Sequence, residues 1–231
     1  MSDGGEEFSV ELTHTKSLSP RVRGLTLRAL GSPLPRWQPG QYVEIAFQAS
    51  GQAYPYSIAS APSNVRPGEF ELAISRSSLA PDLAVGSVLR ARGPFGRLLR
   101  REPRGAALVL VAGGTGLAPL RALLQEDLSR PGDHPVMLLF GCRNEAEILW
   151  RAELEALQQA HPRFRFEPTL SRGESAWTGR RGYVQAHLLE LLAMTPGAEV
   201  YLCGLSEMVR ECRALLDEQG VPADLIVGEA Y

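Results

Sequence analysis

Three glycines and a threonine, set between an apolar run and a helical pattern, are the residues of this chain best placed to bind an anion. In Leu108-Val-Leu-Val-Ala-Gly-Gly-Thr-Gly-Leu-Ala-Pro119, residues Leu108 to Val111 lack polar alternation, as a strand covered on both faces should. Gly113, Gly114 and Gly116 remove the side chains that would keep a pyrophosphate from the backbone, and Thr115 lies among them. The helix that follows offers unpaired N–H groups and a positive dipole end. The segment reads as a phosphate cradle. Glycine turns of this kind also serve as plain strand-to-helix connections, and the loop alone leaves that alternative open. It is neither a Walker loop, since no lysine follows, nor the full fingerprint Gly-x-Gly-x-x-Gly.

Metal chemistry finds little support. Cys142, Cys203 and Cys212 are three in number without Cys-x-x-Cys spacing, so neither a self-contained four-cysteine cluster nor a disulfide framework is expected. His14, His134, His161 and His187 are scattered and read as surface histidines. A net charge of −2 gives no global attraction to nucleic acid or to an anionic membrane. No apolar run approaches the ~20 residues of a membrane span, and Met1 to Glu7 is an acidic tail rather than a signal peptide. The expectation is a cytoplasmic protein. Lys16 is the only lysine among 24 basic residues, a bias that weakens a functional reading of any single arginine.

The elements that must position the loop follow from periodicity. With 231 residues, 44% of them hydrophobic, the chain suits one large domain or two small ones. From Phe8 to about Arg100 the pattern is short strands. Val22 to Arg28 alternates with period two, Pro39-Gly40 turns into the apolar strand Tyr42 to Phe47, and Pro67-Gly68 precedes Phe70 to Ile74. This predicts an antiparallel barrel or sandwich. The character changes near Arg104-Gly105. Strands are predicted at Leu108–Ala112, Val136–Phe140, Phe164–Leu170, Glu199–Cys203 and Leu225–Val227. Helical faces lie between them: Leu117, Leu120, Leu124 and Leu128; Ala146, Trp150, Leu154 and Leu157; Val184, Leu188, Leu191 and Leu192; Met208, Cys212, Leu215 and Leu216. Strand and helix in alternation predict a doubly wound, parallel five-stranded sheet. With strand order 3-2-1-4-5, the first and fourth strands flank the ligand crevice. Gly113–Gly116 and Cys203-Gly204 then face each other across it.

Four motifs in this order resemble the ferredoxin–NADP reductase superfamily of flavin and nicotinamide oxidoreductases. Tyr54-Pro55-Tyr56-Ser57-Ile-Ala-Ser60, preceded by Gly40-Gln41-Tyr42, stands at that family's Arg-x-Tyr-Ser flavin site. The others are the loop Gly113 to Pro119, then Cys203-Gly204 with Met208, and finally Glu229-Ala230-Tyr231; Gly93-Pro94-Phe95-Gly96 closes the barrel as in relatives. The resemblance covers roughly residues 8 to 231. It implies an FAD-binding β-barrel domain over residues 8–102 and an NAD(P)-binding α/β domain over residues 105–231, with no appended ferredoxin domain. It also implies roles. Tyr56 packs on the flavin ring, and the Ser57 hydroxyl bonds near N5, the atom that receives hydride. Gly113, Gly114, Thr115 and Gly116 hold the dinucleotide with Gly204. Cys203 lies beside nicotinamide C4, Glu229 supplies a carboxylate, and Tyr231 stacks on the flavin until nicotinamide displaces it. Ser171-Arg172 matches the pair that meets the 2′-phosphate in NADP-preferring relatives; relatives using NADH carry similar residues, so NADH and NADPH both stand.

Two departures bear on the flavin. Tyr54 stands where relatives carry an arginine for the pyrophosphate, and tyrosine supplies no charged fork. Relatives also carry a longer insert where this chain has only Ser75 to Pro81, with Arg76, Ser77 and Ser78 as partial substitutes. FAD is the expected flavin, and these two departures leave tight and weak binding both open. The arginines 90, 92, 97, 100, 101 and 104 read as a solvated surface, with docking of an acidic electron-transfer partner as the alternative. The functional expectation is hydride transfer from NAD(P)H to FAD and electron delivery to a separate acceptor. Its rivals are a flavin reductase that uses free flavin as substrate and a non-catalytic subunit that keeps the reductase fold.

Overall fold

The computed structural model describes residues 5–31, 35–47, 52–79, 83–101 and 107–231. It divides into two compact units, residues 1–100 with 121–129, and residues 101–120 with 130–231. The start of the acidic tail, Ala80-Pro81, Arg104 and the change of character at Arg104-Gly105 lie outside the described residues.

The first unit is a six-stranded antiparallel sheet of β1 (Glu6–Ser17), β2 (Val22–Leu30), β3 (Tyr42–Ile45), β4 (Tyr54–Ser57), β5 (Glu69–Ser75) and β6 (Val88–Phe95). Their spatial order is β4-β3-β6-β1-β2-β5. Alternation sends Phe8, Val10 and Leu12 of β1 inward, where they meet Leu25 and Leu27 of β2 and Phe70, Leu72 and Ile74 of β5 in one apolar core. The open question of barrel or sandwich is decided at the two edge strands. Just past β4, Ile58 bridges Leu72 of β5, and the sheet rolls into a nearly closed barrel.

The second unit holds β7 (Leu108–Gly113), β8 (Val136–Cys142), β9 (Phe164–Leu170), β10 (Arg180–Arg181), β11 (Glu199–Gly204) and β12 (Ile226–Ala230). They form a parallel sheet in the order β10-β9-β8-β7-β11-β12. The predicted order 3-2-1-4-5 is therefore present, with the two-residue β10 added at one edge. That strand is too short and too polar to leave a pattern. Its helices are α2 (Arg151–Ala160), α3 (Gln185–Met194) and α4 (Ser206–Glu218), and α1 (Leu117–Leu128) follows the glycine loop. Leu188 and Leu191 of α3 join Val209, Cys212 and Leu216 of α4 against Val109, Val111, Val200 and Leu202 of the sheet. A fully buried leucine contributes about 1.5–3 kcal/mol, so this layer is a main source of the unit's stability.

Two helix expectations need correction. Ala146 and Trp150 do not belong to α2: Glu145–Glu147 is a separate 3₁₀ turn, and Trp150 sits ahead of the helix at φ 51°, a left-handed conformation unusual for a large side chain. Helix α1 is not amphipathic. Every residue from Leu117 to Gln125 is buried, including Arg121 and Gln125. Among the described residues no helix is long and apolar enough to cross a membrane.

Candidate functional site

In the second unit the strand order reverses between β7 and β11, which lie side by side with Ala112 opposite Cys203. The chain leaves β7 through Gly113 and turns at Gly114, whose φ of 55° is the left-handed region that glycine enters without strain. At Gly116 the reason for glycine is different. A Cβ there would lie 2.2 Å from the Cys203 carbonyl oxygen and 2.7 Å from Gly204 N. The two loops expected to share a crevice are thus in backbone contact.

What this loop can do is shown by the phenol of Tyr231. The Gly116 N–H donates to its oxygen at 2.8 Å and the Thr115 hydroxyl donates at 3.1 Å, while the phenol donates to the Gly113 carbonyl at 2.9 Å. Two donors at a helix start converge on a single oxygen. That is the geometry an anionic oxygen needs. Tyr231 is still 56% exposed, so it can leave without unpacking a core. The phenol oxygen itself is enclosed by the loop, and that desolvation raises its pKa, partly opposed by the Thr115 and backbone hydrogen bonds.

Cys203 and Glu229 are register mates on adjacent parallel strands, so their side chains project to the same face. Cys203 is only 2% exposed; burial, with the Glu229 charge adding to it, pushes its thiol up to about 12. It is a neutral packing group at physiological pH and has too little thiolate to act as a nucleophile. Burial also holds the Glu229 carboxyl above its ordinary value. A raised carboxyl contributes stability that is complete below its unfolded pKa of about 4.5 and is lost as pH climbs through the folded value. Glu229→Gln should therefore melt above the parent at pH 7, and the difference should close as pH falls toward the glutamate range. An offset that is the same at both pH values would show that this carboxyl is not desolvated.

The loops after β8 and β9 are zipped together at the same edge of the sheet. Arg172 N–H donates to Arg143 O at 2.7 Å, Ser171 N–H to Cys142 O at 3.0 Å, and the Ser171 hydroxyl to the same oxygen at 3.4 Å. The exposed Arg172 guanidinium therefore has an exposed neighbour, Arg143, which sequence reading missed. Arg181 is committed elsewhere, closing its own loop on the carbonyls of Gly173, Glu174 and Trp177. Tyr183, 71% exposed just after β10, offers a free ring face and was also missed.

In the first unit, β4 carries Tyr54, Tyr56 and Ser57 opposite Ile45, Val43 and Tyr42 of β3. Tyr56 is half-buried and meets Phe47 edge-on at 5.1 Å between ring centres; burial raises its pKa. Tyr54 is 43% exposed. The expected substitutes for the missing arginine form one 3₁₀ turn, Arg76–Ser78, in which Arg76 donates to the Ser17 hydroxyl and Ser77 bonds Ser75. The arginine cluster does not form one surface. Arg100 is buried against Asp127, and Arg92 stands opposite Glu7 on one side and Glu44 on the other.

A barrel followed in the same chain by a doubly wound sheet, with an oxygen-binding glycine turn at its switch point, is an architecture suited to a dinucleotide-dependent oxidoreductase. Residues 110–214 match the oxidoreductase NAD-binding domain. The chain is 39% identical over 241 residues to ferredoxin–NADP reductase B of Sorangium cellulosum, with 98% of each covered. It is 28% identical over 221 residues to the toluate 1,2-dioxygenase electron transfer component of Pseudomonas putida, covering 93% of this chain and 64% of that longer protein. Among solved structures, an Amycolatopsis cytochrome P450 reductase superposes with a TM-score of 0.89 at 26% identity, covering 98% of this chain and 70% of the other. The chain belongs to the ferredoxin–NADP reductase family. FAD and a nicotinamide dinucleotide are the cofactors this family implies.

Proposed function

We propose that this protein is an NAD(P)H-dependent flavin oxidoreductase that takes hydride from the nicotinamide and passes electrons to a separate acceptor, a protein or free flavin. The observation that carries the reading is the convergence of the Gly116 N–H and Thr115 hydroxyl on one oxygen at the switch point, with Cys203 and Glu229 in register beside it. FAD, when bound, supplies the step between two-electron and one-electron chemistry. The chain supplies position and polarity. Residues 8–102 form the flavin half and residues 105–231 the nicotinamide half. Gly113, Gly114, Thr115, Gly116 and Gly204 receive dinucleotide oxygens in place of the Tyr231 phenol, and the Tyr231 ring covers the flavin in the absence of nicotinamide. Cys203 packs beside the nicotinamide as a neutral thiol, and Glu229 sets the polarity there. Tyr56 packs on the flavin, while the Ser57 hydroxyl donates to it. Ser171 and Arg172, with Arg143 adjacent, suit a 2′-phosphate or a ribose hydroxyl, so both NADPH and NADH belong in the assay.

Weak flavin retention has its own support. Tyr54 brings no cation, and Arg76 is already bonded to Ser17. Each missing charge-assisted bond is worth about 1.5–3 kcal/mol, roughly tenfold or more in affinity. Tyr54→Arg should then tighten FAD by about tenfold in an equilibrium titration; an unchanged or weaker dissociation constant would mean that the pyrophosphate is held from elsewhere.

These features favour a second reading, in which flavin diffuses in and out as a substrate. Oxidation of NADPH and NADH with and without added FAD separates the possibilities. A yellow protein active without additions supports the bound-cofactor form, and a colourless one active only with flavin supports the reductase of free flavin. No oxidation under any condition would sink both and leave a non-catalytic subunit.

A further inference from the structure

The barrel closes immediately after Ser57. Up to that residue β4 pairs with β3; Ile58 still donates its N–H to Gln41 O at 2.9 Å on that side but also bridges Leu72 of β5, and the Ala59 N–H bonds Glu71 O at 2.8 Å. The segment 59–61 is therefore a seam between two strands, and two buried polar side chains of α1 hold it. Arg121 donates to the Ala59 carbonyl at 2.6 Å and to the Glu71 carboxylate at 2.7 Å, one partner on each side of the seam. Gln125, one helical turn on, accepts the Ala61 N–H at 2.9 Å. Both are about nineteen-twentieths buried, at 4% and 5% exposure. Ser60 is fixed in turn, its hydroxyl accepting Glu71 N–H at 3.0 Å and its carbonyl accepting the Trp37 indole N–H at 3.2 Å.

Such saturation is more than barrel closure requires, since the Ile58–Leu72 bridge and the Ala59–Glu71 bond already join the strands. We propose that Arg121 and Gln125 are positioning residues for hydride transfer: by stapling Ala59, Ala61 and Glu71 they fix the backbone from which the Ser57 hydroxyl meets the flavin. Both side chains are too deeply buried to meet a bound cofactor themselves. They act through the short segment between the staple and Ser57, Ile58 alone on the Arg121 side and Ile58 to Ser60 on the Gln125 side, and displacements of about 1 Å at that point are enough to change a transfer rate.

This inference rests on the flavin reading above, and a double-mutant cycle keeps the two apart. In rapid mixing of FAD-loaded protein with NAD(P)H, Gln125→Leu should slow flavin reduction by about tenfold to a hundredfold, with the nicotinamide dissociation constant unchanged. In a Ser57→Ala background the same substitution should have little further effect, because the group it positions is gone. Gln125→Glu, which keeps an acceptor for the Ala61 N–H, should restore most of the rate. If Gln125→Leu does not fold, Arg121→Lys serves in the cycle, since it keeps a cation at Glu71 but reaches only one side of the seam. An equal slowing in both backgrounds, or none in either, would overturn the proposal and leave the staple purely architectural. A parent protein that does not reduce flavin at all would instead remove the functional reading itself.

Discussion

Gly116→Ala should cost this protein its nicotinamide site. The added methyl would sit 2.2 Å from the Cys203 carbonyl oxygen, 2.5 Å from its carbon and 2.7 Å from Gly204 N, all main-chain atoms of the neighbouring strand and its exit. No rotamer relieves such a contact. The loop must move away from β11, and the Gly116 N–H that now reaches the Tyr231 oxygen at 2.8 Å must move with it. Overpacking of this kind costs about 1–3 kcal/mol of stability. A hydrogen bond to a charged oxygen contributes a further ~1.5–3 kcal/mol to binding, so nicotinamide affinity should fall about tenfold to a hundredfold. Fluorescence titration with NADPH and NADH, alongside thermal melting, reads both effects. A variant that melts lower and binds as the parent does would mean that the dinucleotide is held without this loop.

Ser57→Ala should do the opposite, sparing the fold and damaging the chemistry. Ser57 is half-buried at the end of β4, its main chain is paired with Tyr42, and no bond from its hydroxyl to another described residue holds the strand. Removing that oxygen orphans no buried partner, so the melting temperature should stay within the change expected of about 0.5 kcal/mol. Loss of a donor aimed at the reacting centre costs on the order of a hundredfold in rate. The measurement is single-turnover reduction of FAD-loaded protein at saturating nicotinamide. An unchanged rate would take Ser57 out of the reaction and, with it, the reason for a stapled seam.

Much of this was legible because the second unit is built from long, strongly patterned elements. Unbroken apolar runs such as Leu108–Val111, too short for a helix and followed by glycines, read as strands covered on both faces, and their alternation with leucine faces left one sheet architecture. Periodicity alone left barrel and sandwich open, because closure depends on a few long-range contacts, the Ile58–Leu72 bridge and the Ala59–Glu71 bond; the resemblance supplied the barrel. Strand β10 escaped for want of length, and Trp150 was drawn into a helical pattern by its hydrophobicity although its backbone is left-handed. The most instructive omission is in α1. Reading Leu117, Leu120, Leu124 and Leu128 as a stripe hid the fact that Ala118, Ala122 and Leu123 fill the other faces. A helix apolar all round is buried all round, and any polar residue on it must then have a partner inside. That rule would have singled out Arg121 and Gln125, which pair with Ala59, Glu71 and Ala61. The site residues themselves were found through the resemblance. Periodicity alone marked the glycine loop and Cys203-Gly204 and said nothing about Ser57, Glu229 or Tyr231.

The decisive measurement is anaerobic mixing of the FAD-loaded protein with NADPH, and separately with NADH, while the oxidised flavin absorbance is followed. Hydride transfer predicts that the band bleaches in a single saturable step with at least one of the two dinucleotides, and that Ser57→Ala slows this step without abolishing nicotinamide binding. A band that persists with both dinucleotides, in protein shown to bind FAD and at least one of them, would contradict the assignment of this chain as a flavin reductase.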